Sequence, residues 1–496
     1  MLWGAAGLAL ACGAVSAGGA QAATAPAASV CSTLAAPGAF DHTTVTSAVI
    51  VPADPANGTP AFCEVTGVIS PVQGSAIGVV YRLPEGWNGK MLGLGGGGWA
   101  GNIRIETAAP GLKAGYATAQ TDAGHDSRLT VWDLSWATNP EALTDFAYRA
   151  VHQMTAVGKE VVARYYGRPQ TRAYFQGCST GGRQGLMEVQ RFPDDYDGVI
   201  SGAPVYNLTV QTSAIVRDNI FAGGPEHLTP ETLALAHRSV LADCDAKDGV
   251  ADGIITDPRA CDWDPASIQC KPGEAGAECL TAGQVAILQH AYRGVQTMDG
   301  RVAAWPLSRG GEEGWGMFMP VTGGKDATNG GGIGGLKAQL LGDPDFDMAK
   351  FDPSVDLAKV RTSAFARIYE ANDPAIGAFT GHGGKLLMWH GFYDPGPSPI
   401  ATISYFDQVQ GSAPNAAADT RLFLAPGVYH CGGGPGPDRI DLLAALDQWV
   451  ETGRPPETLL ATKAGAKISR PLCAYPAMPR YKGAGDPDAA SSFECR

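Results

Sequence analysis

The run Phe175-Gln176-Gly177-Cys178-Ser179-Thr180-Gly181-Gly182-Arg183-Gln184 constrains this chain more than any other. It sets a serine in a G-x-S-x-G frame between a strand-like run, residues 172–175, and a helix-like run, residues 183–191. A serine on so sharp a strand-to-helix turn is lifted out of the sheet with its hydroxyl exposed. The helix behind it aims unpaired N–H groups and a positive dipole end at whatever is attacked. Such a turn suits a nucleophile, although glycine–serine turns also arise by chance.

Strand-like runs recur on both sides of the serine. Residues 79–83 and 90–94 precede a glycine run at 95–98, and residues 116–119 continue the sheet. Apolar residues at helical spacing (Phe146, Val151, Met154, Val157, Val161, Val162) predict a helix over about 143–166. Residues 200–204 read as the next strand end. Over 206–384 the periodicity fades and glycine and proline dominate, before strands return at 385–389 and 421–425 and a helix at about 439–451. Strands and helices alternating on either side of an irregular block predict a parallel α/β sheet with a large insertion. The expected division is an export signal at 1–22, a catalytic domain in two parts at 23–205 and 385–496, and a lid at 206–384. The lid falls over the carboxyl ends of the strands, where α/β proteins bind ligands.

A serine hydroxyl stays unreactive until a base takes its proton, and the base needs a group that holds its tautomer. On an α/β sheet the expected chain order is Ser, then Asp or Glu, then His. The strand at 385–389 runs through His390 into Gly391-Phe392-Tyr393-Asp394-Pro395, leaving Asp394 on a turn. The strand at 421–425 runs into Pro426-Gly427-Val428-Tyr429-His430, leaving His430 on a loop. Alone, an Asp before Pro is a turn residue and a loop His is polar surface. Three strand ends in the right order single out Ser179, Asp394 and His430 as a triad. His390 reads as a packed strand-end residue, and His125 as a residue placed to line the pocket.

The cysteines bear on the same point. An apolar stretch over 2–15 and Ala20-Gln21-Ala22 resemble an export signal, although no Lys or Arg precedes the stretch; attachment of lipid at Cys12 is the minor alternative. If Cys12 is removed, ten cysteines remain, and an even count in an exported chain predicts disulfides over buried thiols; the expected location is secreted or periplasmic. Cys178 directly precedes the serine and Cys431 directly follows the histidine. If Ser179 and His430 meet, these neighbours can reach the ~4.4–6.8 Å Cα separation of a disulfide. No C-x-x-C pair suggests zinc. A net charge of −13 argues against nucleic acid and anionic membranes as partners. No later stretch reaches the roughly 18 apolar residues of a membrane span.

Together, Gly177-Cys178-Ser179-Thr180-Gly181-Gly182-Arg183, Asp394, and His430-Cys431-Gly432-Gly433-Gly434-Pro435-Gly436 resemble the tannase and feruloyl esterase family of α/β-hydrolases. The family's hallmark is a Cys-Ser, Asp, His-Cys constellation with its two cysteines bridged. The resemblance implies Ser179 as nucleophile, His430 as general base then acid, and Asp394 as the orienting carboxylate. It also implies the bridges Cys31–Cys63, Cys178–Cys431, Cys244–Cys261, Cys270–Cys279 and Cys473–Cys495. An oxyanion hole needs two N–H donors. One is Thr180, after the nucleophile; the other belongs to the 95–98 glycine loop, where matching the family pattern after Trp87-Asn88-Gly89 favours Gly98.

The acidic run Asp243-Cys244-Asp245-Ala246-Lys247-Asp248-Gly249-Val250-Ala251-Asp252-Gly253-Ile254 lacks the EF-hand frame. By composition a solvated turn suits it as well as a cation site. The resemblance implies one structural Ca2+ held by the side chains of Asp245, Asp248 and Asp252 and the carbonyls of Val250 and Ile254.

The implied reaction is hydrolysis of a small aromatic ester through an acyl-enzyme, with Trp305, Trp315, Phe318 and Phe392 as candidate walls for the acyl group. Family members that cleave the terephthalate monoester use a lid arginine. This chain has no Arg between Arg309 and Arg361, leaving Lys325 or Lys337 as substitutes. Feruloyl-type esters therefore come first, gallate esters next, and the terephthalate monoester after them. An inactive binding protein on the same scaffold would be expected to lack a triad member, and nothing suggests the peptide cleft of a serine peptidase.

Overall fold

The computed structural model describes residues 25–56, 58–126, 130–222, 226–274, 276–319, 327–413 and 415–496. The expected export signal at 1–22, Cys12 and Lys325 lie outside the described residues. The main sheet has nine strands: β1 (Thr43–Val51), β2 (Phe62–Ile69), β3 (Ile77–Pro84), β4 (Lys90–Leu94), β5 (Ala117–Thr121), β6 (Arg172–Cys178), β7 (Gly198–Gly202), β8 (Lys385–Gly391) and β9 (Thr420–Ala425). Their spatial order is β1-β2-β3-β5-β4-β6-β7-β8-β9. The first three pair antiparallel and β3 meets β5 antiparallel; from β5 to β9 all pairs are parallel. The antiparallel strands β1 and β2 were not foreseen, although Thr43–Val51 carries the β-branched residues of a strand.

The parallel strands are buried on both faces, as their continuous apolar runs require. Five helices position the site: α1 (Ala150–Tyr166), α2 (Thr180–Arg191), α3 (Leu208–Ala222), α4 (Pro399–Ser412) and α5 (Leu442–Thr452). Just before α1 the chain makes a π turn, Asp145–Arg149. The Phe146 and Ala147 carbonyls within it accept from the buried guanidinium of Arg183 on α2, at 3.1 and 2.7 Å. Arg183 thus pins the helix behind the serine with charge-assisted bonds.

The chain between β7 and β8 does not form one separate body. Leu233, Val240, Trp263, Leu288, Tyr292 and Trp315 make a core of their own. Ile333, Leu357, Val360, Phe365, Tyr369 and Phe379 from the same insertion join the core of the main sheet. Leu208, Val210, Ile215 and Val216 near its start join that core too, so the insertion is anchored to the main sheet at both its ends. Among the described residues five disulfides tie the chain: Cys31–Cys63, Cys178–Cys431, Cys244–Cys261, Cys270–Cys279 and Cys473–Cys495. Among the described residues no helix is long and apolar enough to cross a membrane.

Candidate active site

Strand β6 ends at Cys178 and α2 begins at Thr180, so Ser179 alone makes the turn. Its φ of 62° and ψ of −120° lie where L-residues are strained, and surrounding packing must hold them there. That packing is glycine-dependent. A Cβ on Gly177 would sit 2.4 Å from the Gly181 backbone, so strand and helix can approach this closely only without one. The Ser179 N–H donates to Gly202 O at 2.9 Å, fixing the turn to β7.

Asp394 lies beyond β8 and His430 beyond β9, adjacent parallel strands that bring the two loops together. His430 Nδ1 is 2.6 Å from Asp394 Oδ2, so its N–H donates there. Asp394 is fully buried and is also met by His390: Nε2 donates at 3.0 Å to the same Oδ2, while Nδ1 faces the Thr402 hydroxyl at 2.8 Å. The Gly396 N–H donates to the other carboxylate oxygen at 2.8 Å. Burial pushes this carboxyl up, but the His430 charge and the hydrogen bonds of both imidazoles outweigh it and hold it at about 2. His390, read from sequence as packing, is therefore a second partner of the carboxylate as well as a buried strand-end residue.

Cys178 and Cys431 are bonded with Cα atoms 6.0 Å apart, across 253 residues of sequence. The bridge brings Ser179 and His430 to the lining of one cavity. Among the described residues the Ser179 hydroxyl makes no hydrogen bond to His430. Loose nucleophile–base contacts are common before substrate enters. Gly98 and Thr180 line the same cavity. Gly98 has φ 60°, and a Cβ there would stand 2.6 Å from Val131 O. The Thr180 hydroxyl donates to Gly98 O, joining the two segments, and among the described residues neither residue's N–H is taken by another group.

Of the four aromatic residues expected at the cavity, Phe318 lines it, with its ring edge-on to His430 at 5.1 Å. The other three lie elsewhere. Trp315 is buried in the insertion's core against Tyr292, Phe392 is fully buried, and Trp305 packs against the main core. Trp99 and Trp132 take their place, and Val205, Val210, Ala214 and Met319 complete an apolar wall. Trp99 directly follows the glycine loop, a signal that sequence reasoning passed over. His125 does not line the cavity; it stacks on Trp136 and bonds Trp99 O at 2.7 Å, supporting that wall from behind. Arg217, also missed, is the one basic side chain besides His430 among the described lining residues. Its guanidinium donates to the carbonyls of Ser213, Pro395 and Gly396. Lys337 is not among them.

The acidic loop is ordered by its own carboxylates. Asp245 Oδ2 accepts from Gly253 N at 2.8 Å, Asp248 Oδ1 from Val250 N at 3.1 Å, and Asp252 Oδ1 from Ile254 N at 3.1 Å. Asp248 also takes the Thr256 hydroxyl, and Asp252 pairs with Arg470. Asp245 Oδ1 is buried with no hydrogen-bond partner. An all-oxygen donor set with one orphaned buried carboxylate oxygen fits a hard cation. The three carboxylates do not all lie within 4.8 Å of one another, so they would have to draw together around it.

A family model described as tannase and feruloyl esterase matches residues 63–496. The mono(2-hydroxyethyl) terephthalate hydrolase of Piscinibacter sakaiensis is 33% identical over 512 residues, covering 88% of this chain and 85% of that protein. Feruloyl esterase B of Aspergillus niger is 32% identical over 460 residues, covering 88% and 86%. The crystal structure of feruloyl esterase B from Aspergillus oryzae superposes with a TM-score of 0.87 at 27% identity, covering 95% of this chain and all of that one, 100%. With an α/β-hydrolase sheet, a serine at the nucleophile turn and these relatives along most of its length, the chain belongs to the tannase and feruloyl esterase family and is a carboxylic-ester hydrolase.

Proposed function

We propose that this enzyme hydrolyses esters of aromatic acids, hydroxycinnamate esters of the feruloyl type first, through an acyl-enzyme on Ser179. One observation carries the reading: the Cys178–Cys431 bridge holds the serine turn and an Asp394-oriented imidazole around a single aromatic-walled cavity. Ser179 Oγ attacks the ester carbonyl while His430 Nε2 takes its proton. Asp394 stabilises the imidazolium, and the Gly98 and Thr180 N–H groups receive the developing oxyanion. His430 then protonates the departing alcohol and activates the water that releases the acid.

The cavity wall favours an uncharged aromatic acyl group. Its one arginine, Arg217, is committed to three main-chain carbonyls, and Trp99, Trp132 and Phe318 offer faces and edges to a ring. Gallate esters rank second and the terephthalate monoester third. A Ca2+ held by the Asp245, Asp248 and Asp252 side chains with the Val250 and Ile254 carbonyls would neutralise a crowded acidic loop; it has no part in the chemistry. The five disulfides support a secreted or periplasmic location.

Steady-state kinetics on methyl ferulate, methyl gallate and the terephthalate monoester, for wild type and Ser179→Ala, test the reading. The expected order of kcat/KM follows that sequence, with the variant down by on the order of 10^5-fold or more. Equal activity in the two proteins removes Ser179 from the mechanism, and preference for the terephthalate monoester overturns the substrate ranking.

A further inference from the structure

Far from the ester site, at the C-terminal end of the nucleophile helix α2, Glu188 is 2% exposed and neither of its carboxylate oxygens accepts a hydrogen bond from any described donor. An ionised carboxylate buried without donors costs several kcal/mol, so something must neutralise it. Its neighbours make matters worse or better depending on what sits between them. Asp195, on the turn before β7, presents a second carboxylate, and His152, on α1, presents an imidazole. Among the described residues these three form the one group of His, Cys, Asp or Glu side chains whose ligand atoms all lie within 4.8 Å of one another.

The group is held rather than loose. The His152 ring is stacked on Phe192 at 3.9 Å between centroids and 9° between planes, which fixes its rotation. Its Nδ1 is 2.7 Å from Asp195 Oδ2. Asp195 is fixed by its own N–H donating to Phe192 O at 3.0 Å, and it lines an open cleft with Lys159, Asp194 and His382.

We propose that His152, Glu188 and Asp195 form a binding site for a divalent transition-metal ion of the Zn2+ class. One imidazole nitrogen with two carboxylates is a borderline donor set, which suits Zn2+, Co2+ or Mn2+ better than the all-oxygen preference of Ca2+. Metal–ligand bonds of about 2.0–2.2 Å at tetrahedral angles set ligand atoms roughly 3.4 Å apart, so His152 Nδ1 and Asp195 Oδ2, now 2.7 Å apart, would open slightly around the ion. Three protein ligands leave a fourth position, which water would fill. The ion would clamp α1, α2 and the turn before β7 behind the serine, and so act on stability, not on ester chemistry.

One rival accounts for the same atoms. Burial, and then the Asp195 charge, push the Glu188 carboxyl well above its ordinary range, so a proton shared between the two acids is the alternative. The test uses the full-length enzyme, stripped of transition metals on a chelating resin and then saturated with Ca2+. Zn2+ binding is read by equilibrium dialysis with elemental analysis, Co2+ binding by visible absorption, and unfolding by the thermal midpoint. Wild type is expected to take up one Zn2+ that His152→Ala and Glu188→Gln each weaken by about 10–100-fold. Zn2+ should raise the midpoint of wild type by a few degrees and leave that of His152→Ala unchanged. Ester turnover, which checks that each variant is folded, should stay within about twofold of wild type in His152→Ala. Absence of uptake by wild type, or uptake that both variants retain, overturns the proposal. A metal-free Glu188→Gln more stable than wild type whatever the Zn2+ concentration assigns the group to the shared proton instead.

Discussion

Two histidine–aspartate pairs flank the nucleophile helix, and as pairs they are nearly the same. His430 Nδ1 lies 2.6 Å from Asp394 Oδ2, and His152 Nδ1 lies 2.7 Å from Asp195 Oδ2. What surrounds them differs. Asp394 is a single buried carboxylate facing two imidazoles and the Gly396 N–H, so its charge is oversupplied with donors. At the other pair one imidazole faces two carboxylates, and Glu188 is left without a donor. The far side of the His430 ring opens on the cavity that holds Ser179, whereas one face of the His152 ring is covered by Phe192. Pair geometry alone does not make a catalytic base. In the proposed mechanism the difference lies in the surplus of donors around Asp394 and in the Ser179 side chain that shares the cavity with His430.

The largest expected effect breaks the likeness of the two pairs directly. His430→Ala should lower kcat/KM on methyl ferulate by on the order of 10^4-fold or more, with the fold intact by circular dichroism. His152→Ala removes the same chemical group from the same kind of pair and should change it by no more than about twofold. Similar losses in the two variants would mean that His430 is no more a base than His152.

The bridge comes next. Closing a loop of this size contributes on the order of 5 kcal/mol in the chain-entropy account, and engineered cases often show less. Cys178→Ser with Cys431→Ser should therefore lower the unfolding free energy by about 3–5 kcal/mol in urea titration. It should also cut ester turnover, because the two halves of the proposed triad lose their tie. Stability lost with turnover unchanged would show that packing alone registers His430 on Ser179. The bridge Cys270–Cys279, 9 residues apart and far from the site, is the control and should cost less.

The electrostatic difference gives a smaller effect with a definite sign. Asp394 is held at about 2 in the folded chain against about 4 when unfolded, a depressed carboxyl. Its contribution is fully present above about pH 4 and is lost as pH falls through about 2; a shift of this size is worth roughly 2 kcal/mol. Asp394→Asn removes that contribution, so the stability lead of wild type over the variant should shrink between pH 5 and pH 2. A lead independent of pH in urea unfolding would mean that the carboxylate is not stabilised by its two imidazoles.

The layout of the candidate site is largely legible in the sequence. Ser179, Asp394 and His430 follow strand ends, and strand ends announce themselves through short apolar runs broken by Gly, Pro and Asp. The nucleophile turn even exposes its glycines, because Gly177 leaves no room for a side chain. The parallel strands β4 to β9 were found within a few residues of their ends. Strands β1 and β2 were passed over because no functional motif drew attention to 43–51 and 62–69, although their β-branched residues were plain. The cavity wall was less legible. Trp315 and Phe392 are as aromatic as Trp99 and Trp132, and only packing decides which rings face the ester and which fill a core. Glu188 looked like any helix glutamate, since burial without a donor depends on three distant segments meeting. His390 is the packed strand-end residue its position suggests, but its bond to Asp394 depends on the turn that follows β8 and is not written in the local pattern.

That histidine supplies the finest test of what donor surplus does. If His390 serves only as packing, replacing it should cost stability and leave the pH profile of turnover in place. If it holds Asp394 by donating through Nε2, the carboxylate loses one of its donors in His390→Ala, and an unpaired buried acceptor is worth about 1–3 kcal/mol. The expected result is a fall of about tenfold in kcat with KM nearly unchanged, and an acid limb of kcat/KM displaced from that of wild type. His390→Gln, whose amide can still donate toward Asp394, should recover part of that loss. Turnover rates and pH profiles of the two variants, measured on protein shown to be folded, separate the cases: equal loss in both, with an unmoved acid limb, reduces His390 to a filler of the core and leaves His430 and Gly396 as the carboxylate's only working donors.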